Sequence, residues 1–140
     1  TCVQAIYYNL EADGKFMIQN SYQGPSPGFS ERQYVTFPGI CPDETGRCTA
    51  GLSHTEYSNY VVVSTDYVSY SLVYSCALKP YLWLLTREIW VSCLWVQEKM
   101  DLAKELLPSF DFDSLAPWEI QGEGFCTYSP GPDFNTEFLQ

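Results

Sequence analysis

The chain has 140 residues, enough for one domain with a hydrophobic core, and its 17 acidic and 7 basic residues give a net charge of −10. This charge disfavours nucleic acid and anionic membranes as partners, because both would repel the chain. Six cysteines favour an oxidising compartment, and no stretch is apolar over the ~20 residues that span a bilayer. The sequence therefore predicts a secreted or extracellular protein with no membrane span.

Strands and turns alternate in the first half of the chain. Strands are predicted over residues 2–9, 15–22, 31–38 and 48–54. Asp13-Gly14 is flanked by apolar alternation and indicates a hairpin turn between the first two strands. The glycine- and proline-rich segment 24–28 predicts a loop, as does the polar stretch between Cys41 and Cys48.

Three consecutive strands are predicted next, over residues 59–65, 68–76 and 81–87, with a tight turn at Asp66. Apolar residues at helical spacing, with charged residues between them, predict an amphipathic helix over about 92–107 that ends at Pro108. A short strand is expected at 117–122, and residues 128–140 are predicted to form a flexible tail.

Seven strands before a helix and one after it are close to the number in a small closed antiparallel barrel. Closure would remove the exposed strand edges that favour aggregation. The fold class predicted is therefore all-β. Residues 1–127 form the barrel domain in this prediction, with the helix packed outside the barrel.

Thr65-Asp66-Tyr67 lies between two of these strands, Cys76 ends the second, and Leu84-Leu85-Thr86-Arg87 ends the third. This arrangement resembles the lipocalins, and within them the apolipoprotein D, insecticyanin and crustacyanin branch. Residues 2–5 and 13–15 resemble the family's second and third strands, and Cys126 its C-terminal cysteine. The resemblance implies an eight-stranded up-and-down barrel with one C-terminal helix and an internal ligand site.

The family's first strand, which carries a G-x-W block, has no counterpart in this sequence. Arg87 matches a family arginine that lies across that tryptophan. Cys76 matches a cysteine that, in the apolipoprotein D branch, forms a disulfide with a cysteine near the N-terminus. We therefore expect the first strand on a separate N-terminal partner chain linked through Cys76, or outside the sequence. Because some pigment-binding relatives assemble, the resemblance also suggests a homo- or hetero-oligomer.

The six cysteines allow 15 full pairings, so their number alone does not define the disulfides. The family resemblance implies a Cys2–Cys126 bond, and Cys41 and Cys48 are close enough in sequence to clip a local loop. Cys76 and Cys93 either stay apart, with Cys93 a free thiol, or pair together. A metal site is not expected, because the chain has no C-x-x-C and a single histidine.

Catalysis is not predicted. Ser53-His54-Thr55 lies in no G-x-S-x-G nucleophile elbow. The carboxylates near the helix end favour a solvated acidic face over a glycosidase pair; they are Asp101, Glu105, Asp111 and Asp113. No phosphate-binding glycine pattern occurs. The prediction is a non-enzymatic protein with no catalytic cofactor.

A small eight-stranded barrel has room inside for one small ligand. The resemblance implies inward positions for Tyr7, Asn20 and Trp83, and alternation adds Tyr60, Val62 and Leu85. Tyr70 and Tyr74 share one face with Leu72, but the sequence does not show whether that face points inward. His54 completes the candidate ligand-binding residues.

Tyrosine hydroxyls, Asn20 and His54 could hydrogen-bond a carbonyl or ring nitrogen of a long conjugated or lipidic molecule. The branch resembled includes carriers of bilins, carotenoids such as astaxanthin, steroids and fatty acids. We expect a carrier of a bound hydrophobic ligand, with a pigment favoured over a colourless lipid or steroid. The alternative from another class is a structural or interaction protein whose own side chains fill the barrel.

Overall fold

The computed structural model describes residues 2–23, 32–51, 57–76, 79–115, 126 and 128. Its strands are β1 (Gln4–Tyr8), β2 (Lys15–Tyr22), β3 (Gln33–Ile40), β4 (Arg47–Ala50), β5 (Tyr60–Thr65), β6 (Tyr70–Ser75) and β7 (Tyr81–Thr86). One helix, α1 (Cys93–Leu106), follows, and a 3-10 turn spans Phe112–Ser114. The predicted strand at 117–122 and all of the predicted tail except Tyr128 lie outside the described residues.

The seven strands form one antiparallel sheet in the order β1-β2-β3-β4-β5-β6-β7, so each strand pairs with its neighbours in sequence. This confirms the predicted all-β meander. Several boundaries differ from the prediction, most of them by one or two residues. β3 continues through Pro38 to Ile40, because the Pro38 carbonyl accepts a hydrogen bond from Gly51 although proline has no N–H to donate. β4 ends at Ala50, and residues 52–54 of the predicted strand lie outside the described residues.

The sheet curls into a nearly closed barrel. In a flat sheet, β1 and β5 would lie about 19 Å apart, since strands are spaced ~4.8 Å. The hydroxyls of Tyr7 on β1 and Tyr60 on β5 are nevertheless 2.5 Å apart. Both side chains must therefore point to the concave side, and curvature must bring the two strands towards each other.

Two backbone hydrogen bonds link the β1–β2 turn to the β3–β4 turn and the β3–β4 turn to strand β5. The Cys41 N–H donates to the Gly14 carbonyl at 2.9 Å, and the Val62 N–H donates to the Gly46 carbonyl at 2.8 Å. Close to these turns, the interior is filled by a core cluster. Its buried members are Phe16, Ile18 and Cys48, with Phe37, Cys41, Ala50 and Tyr60 packed against them.

The turn between β5 and β6 is organised by Asp66. Its carboxylate accepts hydrogen bonds from the N–H groups of Val68, Ser69 and Tyr70 and from the Ser69 hydroxyl. Tyr67 takes a left-handed conformation, with φ 63°, and its N–H donates to the Thr65 hydroxyl. The Thr-Asp-Tyr sequence therefore supplies the acceptors that the backbone needs to reverse direction.

Helix α1 packs on the outside of the barrel, as predicted. Ser92 caps its start by accepting the Trp95 N–H at 3.2 Å. Trp95 meets the Tyr70 ring edge-on at 5.9 Å between centroids, and the Lys99 ammonium lies 4.7 Å from the same ring. Ala103, facing the sheet, is fully buried. None of the described helices is long and apolar enough to cross a membrane.

Two cysteine pairs lie at disulfide distance. Cys2 and Cys126 have Cα atoms 5.4 Å apart, and Cys41 and Cys48 have Cα atoms 4.2 Å apart. Both predicted pairs are confirmed. Cys76 and Cys93 are exposed free thiols and do not pair with each other.

Candidate ligand-binding face

Strand register determines which side chains share the concave face of the barrel. Residues paired directly across antiparallel strands lie on one face, and successive residues alternate. Tyr7 pairs with Ile18, two residues from Asn20, and Tyr60 pairs with Ser75. Further along, Val62 pairs with Val73, which pairs with Trp83, and Ser71 pairs with Leu85. Six predicted ligand-binding residues therefore share this inner face: Tyr7, Asn20, Tyr60, Val62, Trp83 and Leu85.

Tyr7 and Tyr60 meet across the interior, hydroxyl to hydroxyl. Tyr7 also packs against Phe16 of the core cluster, with ring centroids 6.2 Å apart. Tyr7 is 36% exposed, and its hydroxyl is held by the bond to Tyr60. Desolvation raises the pKa of both phenols above the ordinary 10.0, and the bond to Tyr7 raises that of Tyr60 further. Both side chains are therefore neutral at physiological pH.

The inner face carries no charge along the seven strands. These strands contain two charged residues, Lys15 and Arg47. Lys15 precedes Phe16 and Arg47 precedes Cys48, and alternation therefore directs both basic side chains to the outer face. The polar groups of the inner face are neutral hydroxyls and the amides of Asn20 and Gln33.

Tyr81 and Trp83 extend this face to the edge strand β7. Their rings stack with centroids 5.4 Å apart and planes 12° apart. They are 47% and 37% exposed, because no described strand pairs with the far side of β7. Tyr81 was not among the predicted residues, although its position two residues before Trp83 was a sufficient signal. Ile18 and Phe16, which precede Asn20 by two and four residues, were not predicted either.

Tyr70 and Tyr74 lie on the opposite face of the sheet. Tyr70 contacts Trp95 of α1, and Tyr74 meets Phe110 edge-on at 6.0 Å between centroids. Both were predicted as ligand-binding residues, although alternation did not define the direction of their face. The structure corrects this, because these rings pack beneath the helical segment, outside the barrel. His54 lies outside the described residues.

An open cavity of about 220 Å³ lies away from the inner face, beside the start of α1. Its lining residues are Ser69, Glu88, Val91, Ser92 and Trp95. Within the described parts of the chain, no cluster of histidine, cysteine or acidic side chains has the geometry to hold a metal ion. The inner face is suited to binding an apolar molecule through contact and a few hydrogen bonds.

Comparison with protein-family models gives no match, and no curated protein sequence matches the chain. The resemblance to lipocalins therefore remains a prediction based on the residues quoted above.

Proposed function

We propose that this protein is an extracellular lipocalin-type carrier that binds a small hydrophobic molecule against the inner face of its barrel. The observation that supports the proposal most directly is the shared position of the six predicted residues on one uncharged concave face. Binding sites for such molecules are mostly apolar with a few placed polar groups. Val62, Trp83 and Leu85 supply apolar contacts, whereas Tyr7, Asn20 and Tyr60 supply hydrogen-bonding groups.

The position of the core cluster supports entry of the ligand from one end. Phe16, Ile18 and Cys48 are at most 6% exposed, and they fill the interior next to the β1–β2 and β3–β4 turns. A ligand would therefore enter from the other end of the barrel and rest on this cluster. Tyr7 and Tyr60 both contact the cluster, so their hydroxyls would meet the leading end of the ligand.

We further propose that an eighth strand completes the barrel between β1 and β7. Within the described residues, each of these strands has one paired edge and one unpaired edge. Unpaired edges expose backbone N–H and C=O groups that favour pairing with another strand. A partner chain bound through Cys76 is a candidate source, because this thiol is exposed where β6 ends.

The partner-chain proposal is tested by alkylating the protein from its native source under non-reducing conditions and measuring its intact mass. Cys93, which is also an exposed thiol, serves as the internal control. Modification of Cys93 without Cys76, together with a mass above that of the 16.0 kDa chain, is expected. Modification of both thiols on a chain of unchanged mass would disprove the covalent partner.

The proposed ligand is a pigment, such as a carotenoid or a bilin, or else a colourless lipid or steroid. An absorption spectrum of the native protein, followed by solvent extraction, tests the pigment. A visible band that moves to the position of the free pigment on extraction would establish a pigment carrier. A spectrum containing only tyrosine and tryptophan bands would exclude the pigment, and mass spectrometry of the extract would then show whether a lipid is present.

The second candidate is a structural protein whose barrel is filled by its own side chains. The core cluster supports this candidate, because it already fills one end of the interior. Fluorescence separates the two candidates, because Trp83 lies on the inner face. If the protein is a ligand carrier, hydrophobic ligands should change the tryptophan emission of the native protein, and Trp83→Phe should remove most of this change. Trp90→Phe is the matched control, since Trp90 is 64% exposed and outside the strands. No response to any ligand would favour the filled barrel.

A further inference from the structure

The Tyr7 and Tyr60 hydroxyls together provide one more hydrogen than they use. Each phenol carries one donor hydrogen and also accepts hydrogen bonds. Their 2.5 Å contact uses one of the two hydrogens. Among the described residues, no acceptor lies within hydrogen-bond distance of the second hydrogen. The phenol that accepts within the pair therefore retains a hydrogen for a third group, and hydrogen bonds in such a chain strengthen one another.

No positive charge accompanies this donor. All seven basic residues of the chain lie in the described ranges, and none belongs to the inner face of a strand. Lys15 and Arg47 point outwards, and the other five lie outside the strands: Arg32, Lys79, Arg87, Lys99 and Lys104. Arg87 is the residue directly after β7, where it is exposed and its N–H donates to the Ser69 carbonyl.

We infer that the tyrosine pair selects ligands whose leading end is an uncharged hydrogen-bond acceptor, such as a ketone, and discriminates against carboxylates. This inference rests on the proposed carrier function and specifies its ligand class. A ketone oxygen accepts the remaining hydrogen and leaves no polar group unpaired. A carboxylate at the pair would bring a full negative charge onto an uncharged wall, where the two phenols offer one spare hydrogen and no basic side chain serves as counter-ion, which is costly. The net charge of −10 adds to this cost.

Three ligands of equal chain length test the inference: a methyl ketone, the fatty acid and the alkane. Each is titrated, at neutral pH, against a neutral environment-sensitive dye bound to the intact protein. The ketone is expected to bind about fivefold more tightly than the alkane, because one net hydrogen bond changes the dissociation constant by about this factor. The fatty acid is expected to bind more weakly than the ketone. A fatty acid that binds as tightly as the ketone would overturn the inference and leave the carrier function intact.

The double variant Tyr7→Phe/Tyr60→Phe tests whether the pair is responsible. It removes both hydroxyls, so the ketone should lose its roughly fivefold advantage, whereas alkane binding should not change. Each single variant keeps one donor and should lose less. Tyr34→Phe is the matched control, because Tyr34 pairs with Ser21 on the outer face and is 51% exposed. A ketone preference that survives in a folded double variant would overturn the assignment.

A measurement on the unsubstituted protein gives an independent test. Fatty-acid affinity should rise as the pH falls through the pKa of the ligand's own carboxyl group, because protonation makes it a neutral acceptor. The ketone affinity should stay constant over the same range. A fatty-acid affinity that is flat with pH would contradict the inference. If neither the dye nor any of the three ligands binds, the carrier function itself fails.

Discussion

The phenols of Tyr7 and Tyr60 are held in an environment that opposes their ionisation. They bond to each other inside the barrel, and desolvation raises the pKa of each. Period-two alternation was enough to predict that Tyr60 shares a face with Val62. It was not enough to predict the contact with Tyr7, because the two residues lie 53 positions apart and meet only through curvature of the sheet.

These phenols should make stability fall at alkaline pH. The unfolded chain loses the two protons near pH 10, whereas the folded chain keeps them. Their contribution is therefore complete below about pH 10 and decreases above it. Denaturant unfolding across this range should show a shallower alkaline decline in Tyr60→Phe, at a cost of about 1 kcal/mol at neutral pH. An alkaline slope equal to that of the unsubstituted protein would refute this account.

Asp66 should act at the acidic end of the pH range. Hydrogen bonds from the Ser69 hydroxyl and from backbone N–H groups hold the pKa of its carboxyl well below the ordinary 3.8. Its stabilisation is therefore present above about pH 4 and lost as the pH falls through the lower, folded-state pKa. Asp66→Ala should lower the Tm at neutral pH and lose its effect in strong acid.

Asp66→Asn is the matched variant for this prediction, because it keeps an oxygen acceptor without the charge. Its Tm at neutral pH should lie between those of Asp66→Ala and the unsubstituted protein. Thermal unfolding followed by circular dichroism at several pH values measures both effects. A Tm difference between Asp66→Ala and the unsubstituted protein that persists in strong acid would show that the carboxylate is not the cause.

At the scale of elements, sequence periodicity predicted the seven strands and the helix but not the direction of every face. β6 illustrates the reason. Its two faces both carry residues that pack well, Tyr70 and Tyr74 on one and Val73 on the other. Val73 is 1% exposed, and so is Leu72 on the tyrosine face, so both faces of this strand are covered. The helix that covers one face is distant in sequence, and hydrophobic alternation alone does not distinguish that face from the interior.

The turn between β1 and β2 should tolerate no side chain at Gly14. Its φ is 82°, and a Cβ at this position would overlap the carbonyl of Cys41. Gly14→Ala should therefore destabilise the protein by more than the ~1–3 kcal/mol of backbone strain alone. Gly51→Ala is the control, because Gly51 has φ 112° with no atom within 4 Å of such a Cβ. Equal losses of unfolding free energy in the two variants would show that overlap with the Cys41 carbonyl does not cause the destabilisation.

At the scale of the whole molecule, the Cys2–Cys126 bond closes a far larger loop than Cys41–Cys48. Their sequence separations are 124 and 7. In the chain-entropy model, the two bonds stabilise by about 5 and about 2 kcal/mol. Both cysteines of a pair are replaced by alanine, because a single replacement would leave its partner as a new free thiol. Each pair also has one buried member, since Cys2 is 3% and Cys48 1% exposed, so each double variant removes one buried sulfur.

The Cys2→Ala/Cys126→Ala variant should therefore lose more unfolding free energy than Cys41→Ala/Cys48→Ala. Denaturant titrations of both variants and of the unsubstituted protein measure the difference. If the short-range pair proves equally costly or more so, the stabilisation does not come from loop closure.

The barrel as a whole was predictable from the sequence because its strands are consecutive and separated by clear turn signals such as Asp13-Gly14 and Asp66. Near-closure was expected from the number of strands, but no local pattern encodes the curvature that brings β1 towards β5. The inner face shows the same division. Alternation gave Val62 and Leu85, and the family resemblance gave Tyr7, Asn20 and Trp83. The core cluster and the tyrosine contact required the register of distant strands.

The strict order of the sheet also has a consequence for how the chain folds. Because each strand pairs with its sequence neighbours, the hairpins β1–β2 and β5–β6 can each form from a short stretch of chain. Contacts of high sequence separation, such as Tyr7 with Tyr60 and Cys2 with Cys126, carry the larger entropic cost of loop closure. The hairpins should therefore form early, and the curling that creates the interior should come last. A ligand that needs this interior should bind only the curled barrel, so it should slow unfolding more than it accelerates folding.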